Sequence, residues 1–424
     1  MQEKLFLTLY LCSSVFICGF IFPTPMSDRK KAVPTHWLNA TTLGVGLTSL
    51  LSDWSHEIAT AILPSLLIAL GAGPGWLGAI EGVADGLSSV TKLVAGHFTD
   101  RLRSRKPLVV AAYAITAAAT GAIGFAAGAI HVLLARTTAW LARGVRTPAR
   151  KALLAAAVPP EAYGRAFGFE RMMDTIGAVV APLTALWLLR VTSHNYRQVL
   201  LWTLVPGLAA AACFGLLVHE RRTDVPAKKT FVAGLRDLPR EFRLFLAAAG
   251  IFGLGDFSHT LLILYAIQKL TTGMGAAMAA STAVGLYLLR NIFYAAFAYV
   301  GGWLGDHVPR RKAVLAGGYT VAFGMTLLLA MGKPRLVALI IVFALAGIFT
   351  GVVEALEDSI TAEIVPATQH GMAYGTLAAV NAVGDFTSSV IVGAVWTAVS
   401  PSAAFAAAGI LFAAATVLIL RLRE

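Results

Sequence analysis

Apolar residues along this chain come in runs of roughly 20, broken by short polar stretches, without the strict alternation of half-buried strands. A hydrocarbon core of ~30 Å takes about 20 helical residues to cross. Lipid supplies no hydrogen bonds, so a spanning segment is a helix or part of a closed barrel, and barrel strands alternate over about ten residues. The pattern therefore predicts an all-α membrane protein with twelve spans, over 41–69, 75–98, 108–128, 130–157, 164–190, 198–218, 243–268, 275–303, 312–332, 335–362, 370–397 and 402–420. The longest polar stretch, 219–242, carries Arg221, Arg222, Lys228, Lys229, Arg236 and Arg240 and reads as a basic linker. It separates an N-terminal segment (1–40) and a six-helix half (41–218) from a second six-helix half (243–424).

The halves echo each other. Asp53-Trp-Ser-His56 recurs as Asp256-Phe-Ser-His259. Gly96-x-x-x-Asp100, with Arg105-Lys106 after it, recurs as Gly302-x-x-x-Asp306 with Arg311-Lys312. Gly164-x-Ala-Phe-Gly168, with Asp174 and Gly177, recurs as Gly371-x-Ala-Tyr-Gly375 with Asn381 and Gly384. Three echoes in one order at an offset of about 206 residues imply two pseudo-symmetric halves packed about a central site, a common plan for transporters.

Composition strengthens this reading. Apolar residues make up 57% and charged residues 13%, with mean hydropathy +0.74; soluble domains carry about 25% charged residues. The net charge of +12 does not point to nucleic acid, because of how it is distributed. Counted by alternate loops, one side holds Arg29, Lys30, Lys31, Arg101, Arg103, Arg105, Lys106, the linker cluster, Arg310, Arg311, Lys312, Arg421 and Arg423. The other holds little beyond Arg190, Arg197, Lys269, Lys333 and Arg335. Positive charge collects on the cytoplasmic side, so both termini and the linker are expected there, in a bacterial inner membrane. The same charges meet lipid headgroups.

The run 5–22 has the length of a signal peptide but no small-residue cleavage site. Met26-Ser-Asp-Arg-Lys-Lys makes a more natural beginning, so residues 1–25 read as an upstream start. Cys12, Cys18 and Cys213 have neither metal nor disulfide spacing.

The loop Gly96-His-Phe-Thr-Asp100-Arg101-Leu-Arg-Ser-Arg105-Lys106, and its copy Gly302-Trp-Leu-Gly-Asp306-His-Val-Pro-Arg-Arg311-Lys312, resemble the signature loop of the major facilitator superfamily, over about residues 40–424. Arg103 and Pro309 stand where that family has a second glycine, and His307 stands where it has an arginine. The resemblance implies a carrier that works by rocking two halves, without enzymatic activity or cofactor. It also implies that Gly96 and Gly302 allow close helix contact. Asp100 would face the start of span 11 near Gly371, and Asp306 the start of span 5 near Gly164. An anion is stabilised there by free amides and the helix dipole.

Spans 4 and 10 carry opposite charge at corresponding places. Arg143, Arg146 and Arg150 share one helical face, as do Glu354, Glu357 and Asp358. They are expected to form charge networks at the cytoplasmic end, with Asp100 and Asp306 as further members. The rival reading is a set of interfacial charges reaching headgroups.

The candidate transport site draws on carboxylates at bilayer depth, which are costly there and usually face a cavity. Span 1 holds Asp53, His56 and Glu57 on one face, span 2 holds Glu81, Asp85, Ser88 and Lys92, and span 7 holds Asp256 and His259. Clustered carboxylates and histidines suit proton uptake near neutral pH. A gate role for Asp53 and Asp256 is the alternative. Asp174 and Asn381 are pseudo-symmetric, as are Asp85 and Asn291, so the N-terminal half is expected to handle the proton. Arg290 either pairs with a carboxylate such as Asp256, the favoured reading, or holds an anionic substrate group. Tyr265, Tyr287, Tyr294, Phe297 and Tyr299 read mainly as helix packing.

No enzyme signature or phosphate-binding loop is present. The expectation is a monomeric, proton-coupled exporter of a small organic solute, needing neither cofactor nor nucleic acid. Two rivals stand beside it. One is a transition-metal or chelate carrier using the Asp53/His56 and Asp256/His259 pairs; the other is a non-transporting receptor or scaffold.

Overall fold

A computed structural model of the protein describes residues 36–72, 74–220, 231–332 and 335–421. The suggested start at Met26 and the linker residues Arg221, Arg222, Lys228 and Lys229 lie outside them. α-Helices occupy each predicted span. The first half holds α1 (Ala40–Ala69), α2 (Pro74–Thr99), α3 (Lys106–Ala122), α4 (Ala129–Ala156), α5 (Tyr163–Val191) and α6 (Tyr196–Leu217). The second holds α7 in two pieces, α7a (Arg240–Gly253) and α7b (His259–Met274), then α8 (Ala276–His307), α9 (Arg311–Ala330), α10 (Leu336–Ile364), α11 (His370–Ala398) and α12 (Pro401–Arg421).

Eight of these, among the described residues, are long and apolar enough to cross a membrane. The other four, α1, α2, α4 and α7, carry charged residues inside the span or are broken within it. The charges that lower their hydropathy belong to the candidate site.

The pairing of helices repeats with a shift of six. α1 packs on α5 and α6, α2 on α4, and α3 on α4 and α6; correspondingly, α7a packs on α11 and α12, α8 on α10, and α9 on α10 and α12. The halves meet where α2 crosses α11 and α8 crosses α5. One buried cluster, including Phe245, Phe252, Phe343, Phe405 and Phe412, fills the second half. A cluster in the first half, around Tyr113, Phe167 and Phe214, also takes in Ala362 and Tyr374 of the second. Large apolar side chains such as Ile68, Leu183, Trp187, Leu216, Phe386 and Ile410 are exposed, as a lipid-facing surface requires.

Local chemistry explains the helix ends. Asn39 caps α1 by accepting from the Thr41 and Thr42 amides, at 2.9 and 3.0 Å, and its amide donates to the Ala157 carbonyl at 2.8 Å. Span 7 differs from the continuous helix predicted over 243–268. It is interrupted between Gly253 and Ser258, where two glycines in Gly253-Leu-Gly255 weaken the helix. Ser258 then caps α7b by accepting from the Thr260 amide. Interrupted helices are tolerated at membrane depth where they line a cavity.

Candidate transport site

One end of the molecule is held shut by two symmetric locks. The Asp100 carboxylate accepts from the amides of Gly371 and Met372, each at 2.8 Å, and pairs with Arg105 at 3.0 Å. Asp306 accepts from the amides of Gly164 and Arg165, at 2.8 and 2.9 Å, and pairs with Arg165 and Arg311. Each carboxylate thus satisfies the free amides at the start of a helix from the opposite half. Burial pushes the Asp100 carboxyl up to about 6, against the pull of the Met372 amide, Arg105 and the Gly371 amide. Arg101 is half-buried, and the cation on Asp100 is Arg105. Glycine is required at both crossings: a Cβ on Gly96 would strike the Gly371 carbonyl, and one on Gly302 would strike the Gly164 carbonyl.

The remaining charge network differs from the expected one. Arg143 pairs with Asp53, Arg150 with Glu170 at 2.6 Å, and Arg146 donates to Ser52 at 2.8 Å while stacking on the Tyr113 ring at 3.8 Å. All three partnerships stay within the first half. Besides Arg165–Asp306 in the lock, the cross-half ion pairs among the described residues are Lys151–Asp358 at 2.6 Å and Arg171–Glu354 at 2.8 Å. The reason is helical geometry. Positions 143, 146 and 150 share the face of α4 turned to α1, α3 and α5, whereas Lys151 sits about 100° further round. Glu357 likewise accepts from Tyr319 and Asn381, both in its own half.

Lys151→Gln would leave Asp358 buried without its cation, so the closed end should loosen. In a cysteine-free background, alkylation of a single cysteine replacing Thr376, which is buried here, should speed up about tenfold. A rate within about twofold of the parent would remove this pair from the lock.

Behind the locks lies a cavity of about 270 Å³ between the halves. Lys92, Arg143, Arg146, Arg150, Lys151, Arg171 and Asp174 line it from the first half, and Asp256, Glu354, Glu357, Asp358, Asn381 and Asp385 from the second. Asp256 is in the break of α7, where a continuous helix was predicted. Its amide closes a turn on the Phe252 and Gly253 carbonyls. A second cavity, also about 270 Å³, shares Asp256, Glu354 and Asp385 with the first and adds His259 and Arg290. Arg290 donates to Asn291 at 3.0 Å and Thr350 at 3.2 Å; the direct pair with Asp256 is not formed. His259 stacks on Tyr287, Tyr265 packs on Trp396 and Phe405, and Tyr294 donates to Glu354.

The other candidates sit deeper in the first half. His56 is buried against the Trp140 ring and contacts Arg136, while Glu57 lies 4.0 Å from His56. With Asp53 held by Arg143 and His56 beside Arg136, the Asp/His pair of α1 is already occupied. Among the described residues, no group of three His, Cys, Asp or Glu is placed to hold a metal ion. The side chains of Glu81 and Asp85 lie outside the described residues. Sequence reasoning missed Arg136, Arg165, Ser52, Tyr113 and Tyr319 in these networks. Arg136 was detectable as an arginine at membrane depth; the tyrosines look like any packing aromatic.

The sequence profile described as Major Facilitator Superfamily matches residues 45–290 and 246–424. The chain is 30% identical to an uncharacterised MFS-type transporter of Methanocaldococcus jannaschii, over 85% of this chain and 89% of that protein. It is 25% identical to the multidrug resistance protein MdtH of Aeromonas hydrophila, over 63% of this chain and 66% of that one. Its fold is similar to that of the major facilitator transporter FucP of E. coli in the outward conformation, with a TM-score of 0.72 at 15% identity, covering 90% of this chain and 98% of that one.

Proposed function

The chain belongs to the major facilitator superfamily, and from that premise we propose that it is a proton-coupled secondary transporter that exports a small organic solute by alternating access. Such proteins expose one central site to each side in turn by rocking one half against the other. The observation that carries the reading is the cavity between the halves, with Asp256 and Asp385 in its wall and, among the described residues, no ion pair on either. Carboxylates in such a place bind a proton or a cationic group in turn, which is what exchange of one for the other needs. The positive-inside distribution supports a cytoplasmic locked end, so the conformation is read as outward-facing. The likeness to the multidrug resistance protein MdtH further supports export.

The test is proton flux in proteoliposomes that contain a pH dye, challenged in turn with cationic drugs, organic anions, zwitterions and divalent metals. Solute-triggered flux is expected, and Asp256→Asn should reduce it to the rate of empty liposomes. Undiminished flux in that variant would move the coupling site elsewhere. Absence of flux with the whole panel would defeat the proposal.

A further inference from the structure

The charges of the central cavity are not interchangeable once their partners are counted. Arg143, Arg150, Lys151 and Arg171 each hold a carboxylate: Asp53, Glu170, Asp358 and Glu354 respectively. Arg146 does not. It is 2% exposed, lines the cavity and, among the described residues, has the Ser52 hydroxyl and the Tyr113 ring as partners. Its Nη1 is buried without a hydrogen-bond partner. A guanidinium donor stranded in this way is costly unless an acceptor arrives, and a carboxylate matches its fork of donors.

On the facing wall the imbalance has the opposite sign. Asp256 and Asp385 enter no ion pair among the described residues, and Glu357 accepts only from the neutral Tyr319 and Asn381. Among the described residues, the cavity therefore offers Arg146 on the α4 side without a carboxylate partner and, on the α7 and α11 side, Asp256 and Asp385 without a direct ion pair. Its volume of about 270 Å³ falls just below the range of drug-sized pockets, about 300–1,000 Å³, and its wall is mostly charged.

Resting on the transport reading above, we propose that the solute is a small zwitterion whose anionic group binds Arg146 and whose cationic group sits against Asp256 and Asp385. A monocation leaves Arg146 unmatched, and a monoanion leaves the carboxylates unmatched. With Asp256 and Asp385 ionised, only a solute carrying both charges completes the two walls together.

The experiment uses matched sets: L-amino acids and glycine betaine as zwitterions, the amino-acid amides as cations and the N-acetyl amino acids as anions. Binding to the full-length protein in detergent is read by thermal shift, and proton flux is read in proteoliposomes. Zwitterions are expected to bind at least about tenfold more tightly than either charge-deleted partner, since one charge-assisted hydrogen bond is typically worth that factor or more. Arg146→Gln should abolish that preference while the amides bind as before, and Arg146→Lys should restore part of it. The ligand-free melting temperature of each variant separates this effect from misfolding. Tighter binding of the amides or the N-acetyl compounds, failure of every zwitterion to bind, or an unchanged preference in a folded Arg146→Gln protein would overturn the proposal. Flux triggered by amides alone would overturn it while leaving proton-coupled transport standing. Zwitterion binding that gives no flux would do the reverse.

Discussion

Gly302→Leu is expected to drive the protein out of the conformation described here. The backbones of Gly302 and Gly164 meet so closely that even a Cβ at 302 collides with the Gly164 carbonyl oxygen and carbon. Neither obstacle is the end of a flexible side chain, so the halves themselves must separate. Separation also draws Asp306 away from the Gly164 and Arg165 amides. Overpacking costs about 1–3 kcal/mol, which corresponds to about a 5- to 150-fold change in the ratio of closed to open molecules. Spin labels at Arg103 and Pro309, exposed positions on loops of opposite halves, would report this by double electron–electron resonance. A longer distance should come to dominate, and solute transport should fall with it. An unchanged distance distribution would mean that this crossing yields locally and does not couple the halves.

Arg150→Met is expected to be the most destabilising single change in the first half. Glu170 is 1% exposed and depends on Arg150 at 2.6 Å and Ser49 at 2.8 Å; Arg150 in turn donates to Ser49 at 2.6 Å and Tyr113 at 3.2 Å. Taking away the arginine strands a carboxylate among packed helices, which costs about 3–5 kcal/mol for a buried pair. Neutralising both partners removes the stranded charge, so Arg150→Met combined with Glu170→Gln should recover most of the loss. Melting temperature in detergent distinguishes the cases. A double variant no more stable than the single one would show that the network acts through shape and hydrogen bonding, with little contribution from charge.

These two sites divide the labour of the charged residues. Most of the arginines on α4 brace the first half from inside, leaving Lys151, Arg165 and Arg171 to reach across to the second. A half that is internally braced moves as a unit, which is what rocking about a central cavity needs. The lock can then release by breaking the Lys151–Asp358, Arg171–Glu354 and Arg165–Asp306 pairs and the two helix-start contacts, with Ala362 and Tyr374 leaving the first-half cluster they pack on.

Much of this architecture is legible along the chain because the bilayer makes it so. Long apolar runs have to be helices, and a repeat at nearly constant offset has to build two like halves, so span positions and pseudo-symmetry follow without tertiary information. The glycine–aspartate loops are equally readable, since Asp100 and Asp306 lie in fixed register with Gly96 and Gly302. Partner choice is another matter. The spacing of Arg143, Arg146 and Arg150 puts them on one face but does not say which neighbour that face meets; packing of α4 on α3 and against α1 turned them inward. Nor could periodicity foresee the break at Gly253–Ser258, because two glycines only weaken a helix, and the surrounding α11 and α12 decide whether it opens. The sequence by itself determined the spans, the two halves and which charges lie at membrane depth, through the lipid's demand for internal hydrogen bonds. Only the tertiary structure decided which of those charges neutralise each other and which, Arg146, Asp256 and Asp385, are left facing the cavity, because pairing depends on distances of a few ångströms between helices far apart in the chain.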